Sequence, residues 1–553
     1  MKTCSFLIFL LLVLASSNAQ PPGWTNFKQF AGQSFDYTSS VKVDKKNNYY
    51  IASSSQNPIN PLVSEPLPPV ICNFIQPVVN TLYNGLVLRY DSLYNLTLSI
   101  KIENCTLGEI AVDSAGDIFV SGVFQFGASR DGFIKKYTPN GNLLWTIQVQ
   151  SGDGFRNADD VITSLDIDST NTLVMCGFSQ GANVSISGDT FTGPANFITK
   201  LNTSGRLIWY RNFSSDLGVG FSSVRFEAGG NILATGTRQA FNAPNLHPLI
   251  AKIDNLTGFI IWEREFLTQN NNLNGFGNAI TSSGDTYLFG GTFGGKLKIG
   301  DTTYVASGSL DIFLLQCDTA GNIQWSKVAG SPGTDLLLSM VTDKKGITFF
   351  TGGFSDGFNI EGKLLSSKGY TDVYIAAINS TGKMNWILTG GSEIAGHTDD
   401  GFYKESGNSI DIDSKNQLQL VGVTRGSGNF GTLKYKAPDD IKLNGFWLTL
   451  GNTTSAYEVS YQCGNNTSAE DTIFNIKVNP NPFTNRATIS NTKNIIIDYT
   501  VWLYNSLGQK LSAKNYFNTA SINITEWSTL PSGLYFLKIK TASLTKTIKL
   551  LKK

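Results

Sequence analysis

The sequence predicts an all-β protein built from a repeated unit of roughly sixty residues. The chain has 553 residues, of which 55 are glycine and 12% are aromatic, a composition that suits many short strands joined by tight turns. One hydrophobic core rarely organises a chain of this length. A Gly-x-x-x-Trp motif recurs five times after strand-like runs, and its tryptophans, 53 to 64 residues apart, are Trp145, Trp209, Trp262, Trp325 and Trp386.

The first 19 residues have the pattern of a secretory signal peptide. Lys2 gives the positive start, residues 6–14 form a short apolar run, and Ala19 ends a small-residue cleavage site. The apolar run is too short to span a membrane, and no later stretch is long enough. We therefore expect a secreted protein without a transmembrane segment.

Each repeated unit contains four strand-like parts. In one unit these are residues 110–113, which end in a turn, residues 117–122, residues 131–137, and the strand that follows Gly141 and contains Trp145. Turn-forming Asp, Asn, Ser and Gly separate the first two parts. Four strands in a repeated unit are typical of one propeller blade. The first part occurs seven times, so the sequence predicts a seven-bladed β-propeller over residues 20–451.

The fourth strand of the last unit is missing from its expected place. No such strand follows residues 445–450, whereas residues 22–32, with Trp24, resemble residues 323–330 of another unit. We predict that the Trp24 strand completes the last blade and closes the ring without an exposed edge. In the first unit, Leu96 is taken to stand in the tryptophan position.

The repeats resemble those of bacterial β-propellers in secreted and surface proteins, through the Val-Asp-x-x-Gly-Asp-Ile-Phe-Val-Ser-Gly type of segment and through Asp-x-Phe-x-x-Lys-Tyr-x-x-x-Gly-x-x-x-Trp. The resemblance covers about residues 22–450 and implies the fold, since propellers host many functions. The sialidase-type Asp-box is not reproduced, which disfavours that enzyme class.

A second domain is predicted at the C-terminus. Residues 452–472 form a polar linker, and residues 473–553 carry 11 Lys and Arg against 2 Asp and Glu, while residues 20–472 carry 31 against 40. These lysines are spread along strand-like segments, which favours a solvated face over nucleic-acid binding. About eighty residues of alternating strands with Pro and Gly between them predict a small Ig-like β-sandwich.

Four segments of this domain resemble, in order, the type A sorting domain of the type IX secretion system of Bacteroidetes. They begin at Val478, Val501, Leu530 and Lys546, and the residues that carry the motif are Asn479, Pro480, Asn481, Pro482, Phe483, Gly508, Gly533, Lys552 and Lys553. The resemblance implies recognition by the type IX machinery, followed by release or attachment at the outer cell surface. An ordinary adhesive sandwich is the alternative.

Acidic residues and one histidine in the links between units are the candidates for a ligand site. They are Asp159, Asp160, Asp335, Glu393, His397, Asp399 and Asp400. Such links gather on one face of a propeller, where carboxylates could bind calcium or act as acid and base on a glycan. Acidic residues also favour turns for purely structural reasons, so no catalytic residue is assigned and calcium is the one cofactor considered.

Function is less defined than fold. The mature chain has five cysteines, of which Cys72 and Cys105 could pair and Cys176 and Cys317 are expected to be buried thiols, and no spacing suggests zinc. The sequence carries no nucleophile elbow, phosphate loop or dinucleotide fingerprint. We expect a monomeric binding or adhesion module for glycan or protein ligands rather than an enzyme. A secreted hydrolase or lyase and a purely structural surface protein are the alternatives.

Overall fold

The computed structural model describes residues 24–30, 36–55, 83–126, 129–151, 159–213, 219–239, 246–269, 275–392, 405–431, 433–435, 443–451, 476–479, 487–491, 497–505, 510–519, 521–524, 530–540 and 545–552. Strands are the regular secondary structure of all these ranges. The chain divides into two compact parts, Met1–Ser460 and Tyr461–Lys553.

The first part consists of consecutive antiparallel sheets, each built on four strands of a repeat. Within the described residues, the strands of repeats 1 to 4 are β2 (Asp36–Val43), β3 (Tyr49–Ser55), β4 (Asn84–Tyr90) and β5 (Leu96–Ile102); β6 (Cys105–Val112), β7 (Ile118–Phe126), β8 (Ser129–Tyr137) and β9 (Leu143–Ser151); β10 (Asp160–Ile167), β11 (Leu173–Ser179), β14 (Ala195–Leu201) and β15 (Leu207–Asn212); and β16 (Val219–Phe226), β17 (Ile232–Gln239), β18 (Leu246–Ile253) and β19 (Ile260–Glu265).

Three further repeats follow the same order. Their strands are β21 (Gly275–Ser283), β22 (Thr286–Phe293), β25 (Asp311–Asp318) and β26 (Ile323–Ala329) in repeat 5; β27 (Leu336–Thr342), β28 (Thr348–Phe354), β31 (Asp372–Ile378) and β32 (Met384–Ser392) in repeat 6; and β33 (Ser406–Ile412), β34 (Leu418–Arg425), β37 (Leu443–Leu450) and the N-terminal β1 (Trp24–Phe30) in repeat 7.

Short additional strands lie between the second and third strands of several repeats. They form the hairpins β12 (Asn183–Ile186) with β13 (Asp189–Thr192), β23 (Lys296–Ile299) with β24 (Thr302–Val305), β29 (Gly357–Ile360) with β30 (Lys363–Ser366), and β35 (Gly428–Phe430) with β36 (Leu433–Tyr435). Strand β12 pairs with β9 of the preceding repeat, β35 pairs with β32, and β23 pairs with β20 (Thr268–Gln269). These hairpins cover outer edges that would otherwise be open.

Aspartates at the turn after the first strand explain why the chain reverses there. The carboxylate of Asp113 accepts hydrogen bonds of 2.9 Å from the backbone N–H groups of Ala115 and Asp117, and Gly116 adopts a φ of 89°. Asp168 and Asp413 hold their turns in the same way. These carboxylates accept hydrogen bonds from turn N–H groups and therefore have a structural role at the turns.

The first strands of successive repeats are linked by side-chain hydrogen bonds in cyclic order. From repeat 1 round to repeat 1 again, the pairs are Ile110 N to Ser40 Oγ, Leu165 N to Glu109 Oε2, Val224 N to Ser164 Oγ, Ser222 Oγ to Gly277 O, Asn278 Nδ2 to Leu337 O, Ile410 N to Ser339 Oγ, and Val41 N to Ser409 Oγ. This arrangement of radial four-stranded sheets is that of a β-propeller.

The recurring tryptophans join the outer parts of neighbouring repeats. The indole N–H of Trp209 donates to Asn255 O at 2.9 Å, and a Cβ placed on Gly258 would lie 2.7 Å from its ring. Only glycine leaves this space at a φ of 74°. The Gly-x-x-x-Trp motif therefore contributes to two contacts: its tryptophan packs on the turn of the next repeat, and its glycine packs against the tryptophan of the preceding repeat.

The predicted pairing of the N-terminal strand is confirmed. Strand β1 runs antiparallel to β37, with Phe27 opposite Leu448 and Lys28 opposite Trp447. The register differs from the expectation, because Asn26 and not Trp24 stands where the other repeats have tryptophan. Trp24 itself lies opposite Leu450, the place that Leu143 holds opposite Tyr137 in repeat 2. We call the contact of β1 with repeats 7 and 1 the seam.

The expectation for Leu96 is corrected in the same way. Leu98 stands in repeat 1 where Trp145 stands in repeat 2, next to a register shift in both. Leu98 also packs against the next turn, since a Cβ on Gly141 would lie 2.9 Å from its Cδ1 atom. Repeat 1 has no glycine from which to count, because Tyr94 occupies the turn position that Gly141 holds in repeat 2.

The second part contains two antiparallel sheets around one core. The strands are β38 (Ile476–Asn479), β39 (Ala487–Asn491), β40 (Ile497–Asn505), β41 (Lys510–Thr519), β42 (Ser521–Ile524), β43 (Gly533–Lys540) and β44 (Thr545–Lys552). The sheet orders are β38-β39-β42 and β41-β40-β43-β44. Buried Ile489 of the first sheet and Leu503 and Leu537 of the second belong to the same core.

Candidate functional site

The sequence-predicted acidic residues divide into those that the structure describes and those outside it. Asp159, Asp160 and Asp335 lie in or beside links between repeats, called crossovers below. The remaining four candidates lie outside the described residues: Glu393, His397, Asp399 and Asp400.

Asp159 is engaged in an ion pair at the crossover from repeat 2 to repeat 3. Its Oδ1 atom accepts a hydrogen bond of 3.0 Å from Arg130 Nε, and its Oδ2 atom contacts Arg130 Nη2. The two residues also form a parallel backbone bridge. The pair is a bidentate contact between partly exposed side chains, and it ties the start of β8 to the start of β10.

Asp160 is buried at the same crossover. Its Oδ2 atom accepts 2.7 Å and 3.1 Å hydrogen bonds from the backbone N–H and the hydroxyl of Ser151, the last residue of β9. Burial raises the pKa of Asp160, with a smaller contribution from the nearby charge of Asp131. The carboxylate therefore fixes the path of the chain between two sheets.

Asp335 repeats this arrangement at the crossover from repeat 5 to repeat 6. It accepts a 2.6 Å hydrogen bond from Ser331 N and a 3.0 Å hydrogen bond from Ser331 Oγ, and Ser355 N lies 3.3 Å from its Oδ1 atom. Burial raises the pKa of Asp335 to about 7, and the charge of Asp311 acts in the same direction. Donor groups surround both oxygens, whereas a cation would require acceptors there.

The structure adds Glu405, which takes the same place at the crossover from repeat 6 to repeat 7. Its Oε2 atom accepts from Ser392 N at 3.0 Å and its Oε1 atom from Arg425 N at 2.7 Å. Burial raises the pKa of Glu405 to about 8, and the charge of Asp372 adds to the shift. Thus the acids before β10, β27 and β33 all meet a serine at the end of the preceding sheet.

Each of these acids faces a second carboxylate from the start of a third strand. These partners, which the sequence did not single out, are Asp131, Asp311 and Asp372. A signal was available, because each partner precedes the aromatic residue of the third strand by two positions. It went unused because the two members of each pair are 24 to 33 residues apart and meet only in the folded chain.

Glycines bring the carboxylates close together. A Cβ on Gly391 would lie 2.5 Å from Glu405 Oε2 and 2.7 Å from Asp372 Oδ1, so both oxygens border one glycine. A Cβ on Gly330 would likewise lie 2.4 Å from Asp311 Oδ1. That oxygen is buried and has no hydrogen-bond partner among the described residues. Side chains at these glycines would displace the acids.

A separate ion pair links the first strands of repeats 2 and 4. Arg225 Nη2 lies 2.9 Å from Glu109 Oε1, and both side chains are about one quarter exposed, at 28% and 27%. Arg225 also donates to Val224 O at 2.7 Å. Burial acts to raise the pKa of Glu109, but the charge of Arg225, together with the hydrogen bonds from Arg225 and Leu165 N, outweighs burial and lowers that pKa. This pair stabilises the inner strands.

Large hydrophobic side chains are exposed along the fourth strands of repeats 1 to 4 and their turns. Phe259 and Leu256 are 63% and 81% exposed. The others are Leu93, Leu96, Leu143, Leu144, Ile208 and Ile261. We call this set the apolar rim. Leu144, Ile208 and Ile261 each precede the repeat's tryptophan, and the same position holds Gln324 in repeat 5.

Metal and thiol chemistry are limited in the described part of the chain. No group of three or more His, Cys, Asp or Glu side chains there is placed to hold a metal ion. Cys105, Cys176 and Cys317 are buried, and burial raises the pKa of Cys105 to about 12. Cys72, the partner considered for Cys105, lies outside the described residues. No helix in the described ranges has the length and hydropathy of a membrane span.

The sorting-motif residues fall at strand ends where they are described. Asn479 ends β38, Gly533 begins β43 and Lys552 ends β44. Tyr535 of the same motif region is buried and donates to Pro531 O at 2.8 Å. The other sorting-motif residues lie outside the described ranges: Pro480, Asn481, Pro482, Phe483, Gly508 and Lys553.

Comparison with known families identifies the tail. Residues 477–553 match the secretion system C-terminal sorting domain family. Such a domain implies interaction with the type IX secretion machinery and export to the cell surface. The comparison with curated proteins gives no match.

Solved structures similar to this chain include the Dos1 propeller, at 10% identity over 78% of this chain and 96% of that one, with a TM-score of 0.38. The polysaccharide lyase Uly1 is 8% identical over 79% and 94% of the two chains, also at 0.38. Quinohemoprotein alcohol dehydrogenase from Comamonas testosteroni is 10% identical over 68% and 67%, at 0.37. Similarities this distant carry no argument about activity, and the propeller description depends on the strand order of this chain.

Proposed function

We propose that this protein is a secreted binding or adhesion module, in which a closed seven-bladed propeller presents a ligand-binding rim and an Ig-like C-terminal sandwich directs export after removal of signal peptide 1–19. The cyclic hydrogen bonds between first strands support seven blades. The pairing of β1 with β37 supports closure by the N-terminal strand. The family match of residues 477–553 supports the sorting step.

The apolar rim is the observation that carries the binding function. Isolated exposed apolar residues are ordinary, but a set that recurs on consecutive repeats marks an interaction surface. Phe259 adds an aromatic face, against which the guanidinium of Arg211 lies at 4.3 Å from the ring centroid. Aromatic and aliphatic surface of this kind suits glycan rings or apolar protein side chains.

A ligand screen tests this proposal. The mature protein is applied to glycan and protein arrays with and without calcium, and a hit is measured again with the double variant Ile208→Thr, Ile261→Thr. Both substitutions keep a β-branched side chain and remove apolar surface. We expect at least a tenfold loss of affinity. Gln324→Thr is the matched control on repeat 5 and is expected to leave affinity unchanged.

Two results would contradict the proposal. Equal affinity of the double variant and the control would remove the rim from the binding site. Turnover of a glycan on the array would instead favour the hydrolase or lyase alternative. Export is tested separately, by fusing residues 473–553 to a periplasmic reporter in a bacterium with a type IX system. A reporter that stays in the periplasm would count against sorting.

A further inference from the structure

Repeat 6 is joined to both of its neighbours through paired carboxylates. On one side Asp311 lies against Gly330, and Asp335 accepts a hydrogen bond from the N–H group of the next residue, Ser331. On the other side Asp372 and Glu405 both border Gly391. All four side chains are buried. Two ionised carboxylates placed this close and removed from water repel each other and lose their hydration, so such pairs bind a proton more readily than isolated acids.

The hydrogen bonds show how each pair is built. Both oxygens of Glu405 accept backbone N–H groups, and both oxygens of Asp335 accept from Ser331 or Ser355. Asp311 Oδ1 has no donor among the described residues although it is buried against Gly330. A buried carboxylate oxygen without a donor carries negative charge at high cost, and a proton on its pair removes that cost.

Other titratable groups face these pairs from the packed strands. Tyr374 and Tyr435 lie close enough to feel the charges of Asp335 and Glu405, which raise their pKa values together with burial. Lys368, before β31, acts on Asp372 in the opposite direction and lowers its pKa, while burial dominates and raises it to about 6. Asp356 lies beside Gly333 in the adjoining loop. The net environment favours the neutral acids.

We propose that the Asp311–Asp335 and Asp372–Glu405 pairs are proton-dependent clasps, which hold repeat 6 to repeats 5 and 7 when each pair retains a proton and weaken both crossovers when all four carboxylates ionise. The stability of the propeller then falls at alkaline pH, because the crossovers on both sides of repeat 6 weaken. This inference does not depend on the apolar rim or on the sorting domain.

The direction of the pH effect follows from the shifts. The folded-state pKa values of Asp335, about 7, and of Glu405, about 8, lie above those of the same acids in the unfolded chain. The stabilisation is therefore fully present below pH 4 to 5 and is lost as pH rises through 7 and 8. Near neutral pH, the equilibrium constant for unfolding rises about tenfold per pH unit for each proton that is released on unfolding.

The experiment measures equilibrium unfolding of the mature protein between pH 5 and pH 9. Asp311→Asn mimics the protonated acid, because its amide nitrogen can take the place of Oδ1, which has no donor, while its amide oxygen keeps the hydrogen bond from Ser307 N. We expect this variant and the wild type to be similar at pH 5 and the variant to be more stable at pH 9. Asp318→Asn is the control, because Asp318 is a partly exposed residue at the end of β25 whose pKa is lowered by hydrogen bonds from Asn322. Asp318 therefore stays ionised over the whole pH range, and its replacement should change stability by the same amount at pH 5 and pH 9.

A uniform destabilisation of Asp311→Asn at pH 5 and pH 9 would overturn the proposal, because it would assign Asp311 a role independent of the proton on its pair. A second measurement needs no variant. The infrared spectrum of the wild-type protein in heavy water should show the carbonyl band of protonated carboxyl groups at pH 7 and lose intensity there by pH 9. Absence of that band at pH 7 would also overturn the proposal.

Discussion

At the joint between repeats 3 and 4, the indole N–H of Trp209 donates to Asn255 O at 2.9 Å, and at the seam the ammonium of Lys28 donates to Tyr94 O at the same distance. The same hydrogen bond, from an indole N–H to a turn carbonyl of the next repeat, is made at three other joints by Trp145, Trp262 and Trp325. The seam instead uses a charged side chain from a strand that is distant in sequence. Both solutions satisfy a turn carbonyl on the next repeat.

The two joints also differ at the positive-φ residue of the turn that accepts the hydrogen bond. Gly258 adopts a φ of 74° beneath Trp209, whereas Tyr94 occupies the corresponding turn position with a φ of 65°. Tyr94 stacks on Tyr49 at 5.2 Å, and Lys28 Nζ lies 4.3 Å from the centroid of Tyr90. Side chains at the seam fill the space that a tryptophan ring fills elsewhere. The seam therefore replaces one large ring by a cluster.

Deleting residues 20–32 tests the seam most severely. The deletion removes β1, so β37 keeps its pairing with β34 but loses the strand on its other side. The stacking of Phe27 on Tyr435 at 5.3 Å is lost as well. Loss of one such aromatic side chain alone costs about 3–5 kcal/mol. We expect the propeller to lose its cooperative thermal transition, followed by circular dichroism. An unchanged melting temperature would show that the ring does not need this strand.

Truncating a tryptophan at an ordinary joint is the next largest change. Trp209 is buried, and Trp209→Ala removes its packing on Gly258 and its hydrogen bond, which we expect to cost about 3–5 kcal/mol in denaturant unfolding. Leu98→Ala at the joint between repeats 1 and 2 is the comparison. The smaller, partly exposed leucine should cost about 2 kcal/mol. Equal losses would mean that the tryptophans add nothing beyond a leucine.

Replacing a turn glycine by alanine separates the cost of backbone strain at positive φ from the cost of a steric clash with the added Cβ. Gly258→Ala places Cβ 2.7 Å from the Trp209 ring at a positive φ, and we expect a loss of about 2–4 kcal/mol. Gly284 has a φ of 54° and no atom within 4 Å of an added Cβ. Gly284→Ala should therefore cost only the strain, about 1–2 kcal/mol. If both variants lose the same stability, the Trp209 ring moves away from the added Cβ without any loss of stability.

The sequence predicts the strands that recur in every repeat better than the features that differ between repeats. Recurrent turns and tryptophans reveal the four-stranded repeat, and the resemblance of residues 22–32 to another repeat reveals the pairing of β1. The positions of Leu98 and Asn26 escaped prediction because neither strand follows a Gly-x-x-x-Trp motif, and in repeat 1 Tyr94 occupies the turn position that glycine holds elsewhere. The four-residue strands of the hairpins, such as β12, are too short to give a clear period.

The candidate site shows the same limit. Asp160 and Asp335 were singled out because they lie in links, which is where the structure places them. Their partners Asp131 and Asp311 begin strands and meet them only through folding, so no local pattern pairs them. The burial that determines their protonation depends on sheets packed from both sides. A sequence names such acids as candidates, whereas their role follows from their neighbours.

Replacing the seam lysine is the mildest test of the comparison. Lys28→Met keeps the aliphatic stem and removes the ammonium, together with its hydrogen bond to Tyr94 O and its contact with the Tyr90 ring. A charged hydrogen bond and a partly buried cation–π contact together predict a loss of about 1–3 kcal/mol in denaturant unfolding at low salt.

Lys135→Met is the matched control for the seam variant. Lys135 Nζ lies 5.5 Å and 5.8 Å from the rings of Phe124 and Phe133 and donates to Thr146 Oγ1 near the surface, away from any joint. We expect a loss below about 1 kcal/mol, since the hydrogen bond to Thr146 is exposed and both rings lie near the outer limit of a cation–π contact. If both methionine variants lose equal stability, the ammonium of Lys28 does not act as the seam's counterpart of the tryptophan indole, and the strand pairing and Phe27 alone hold the ring shut.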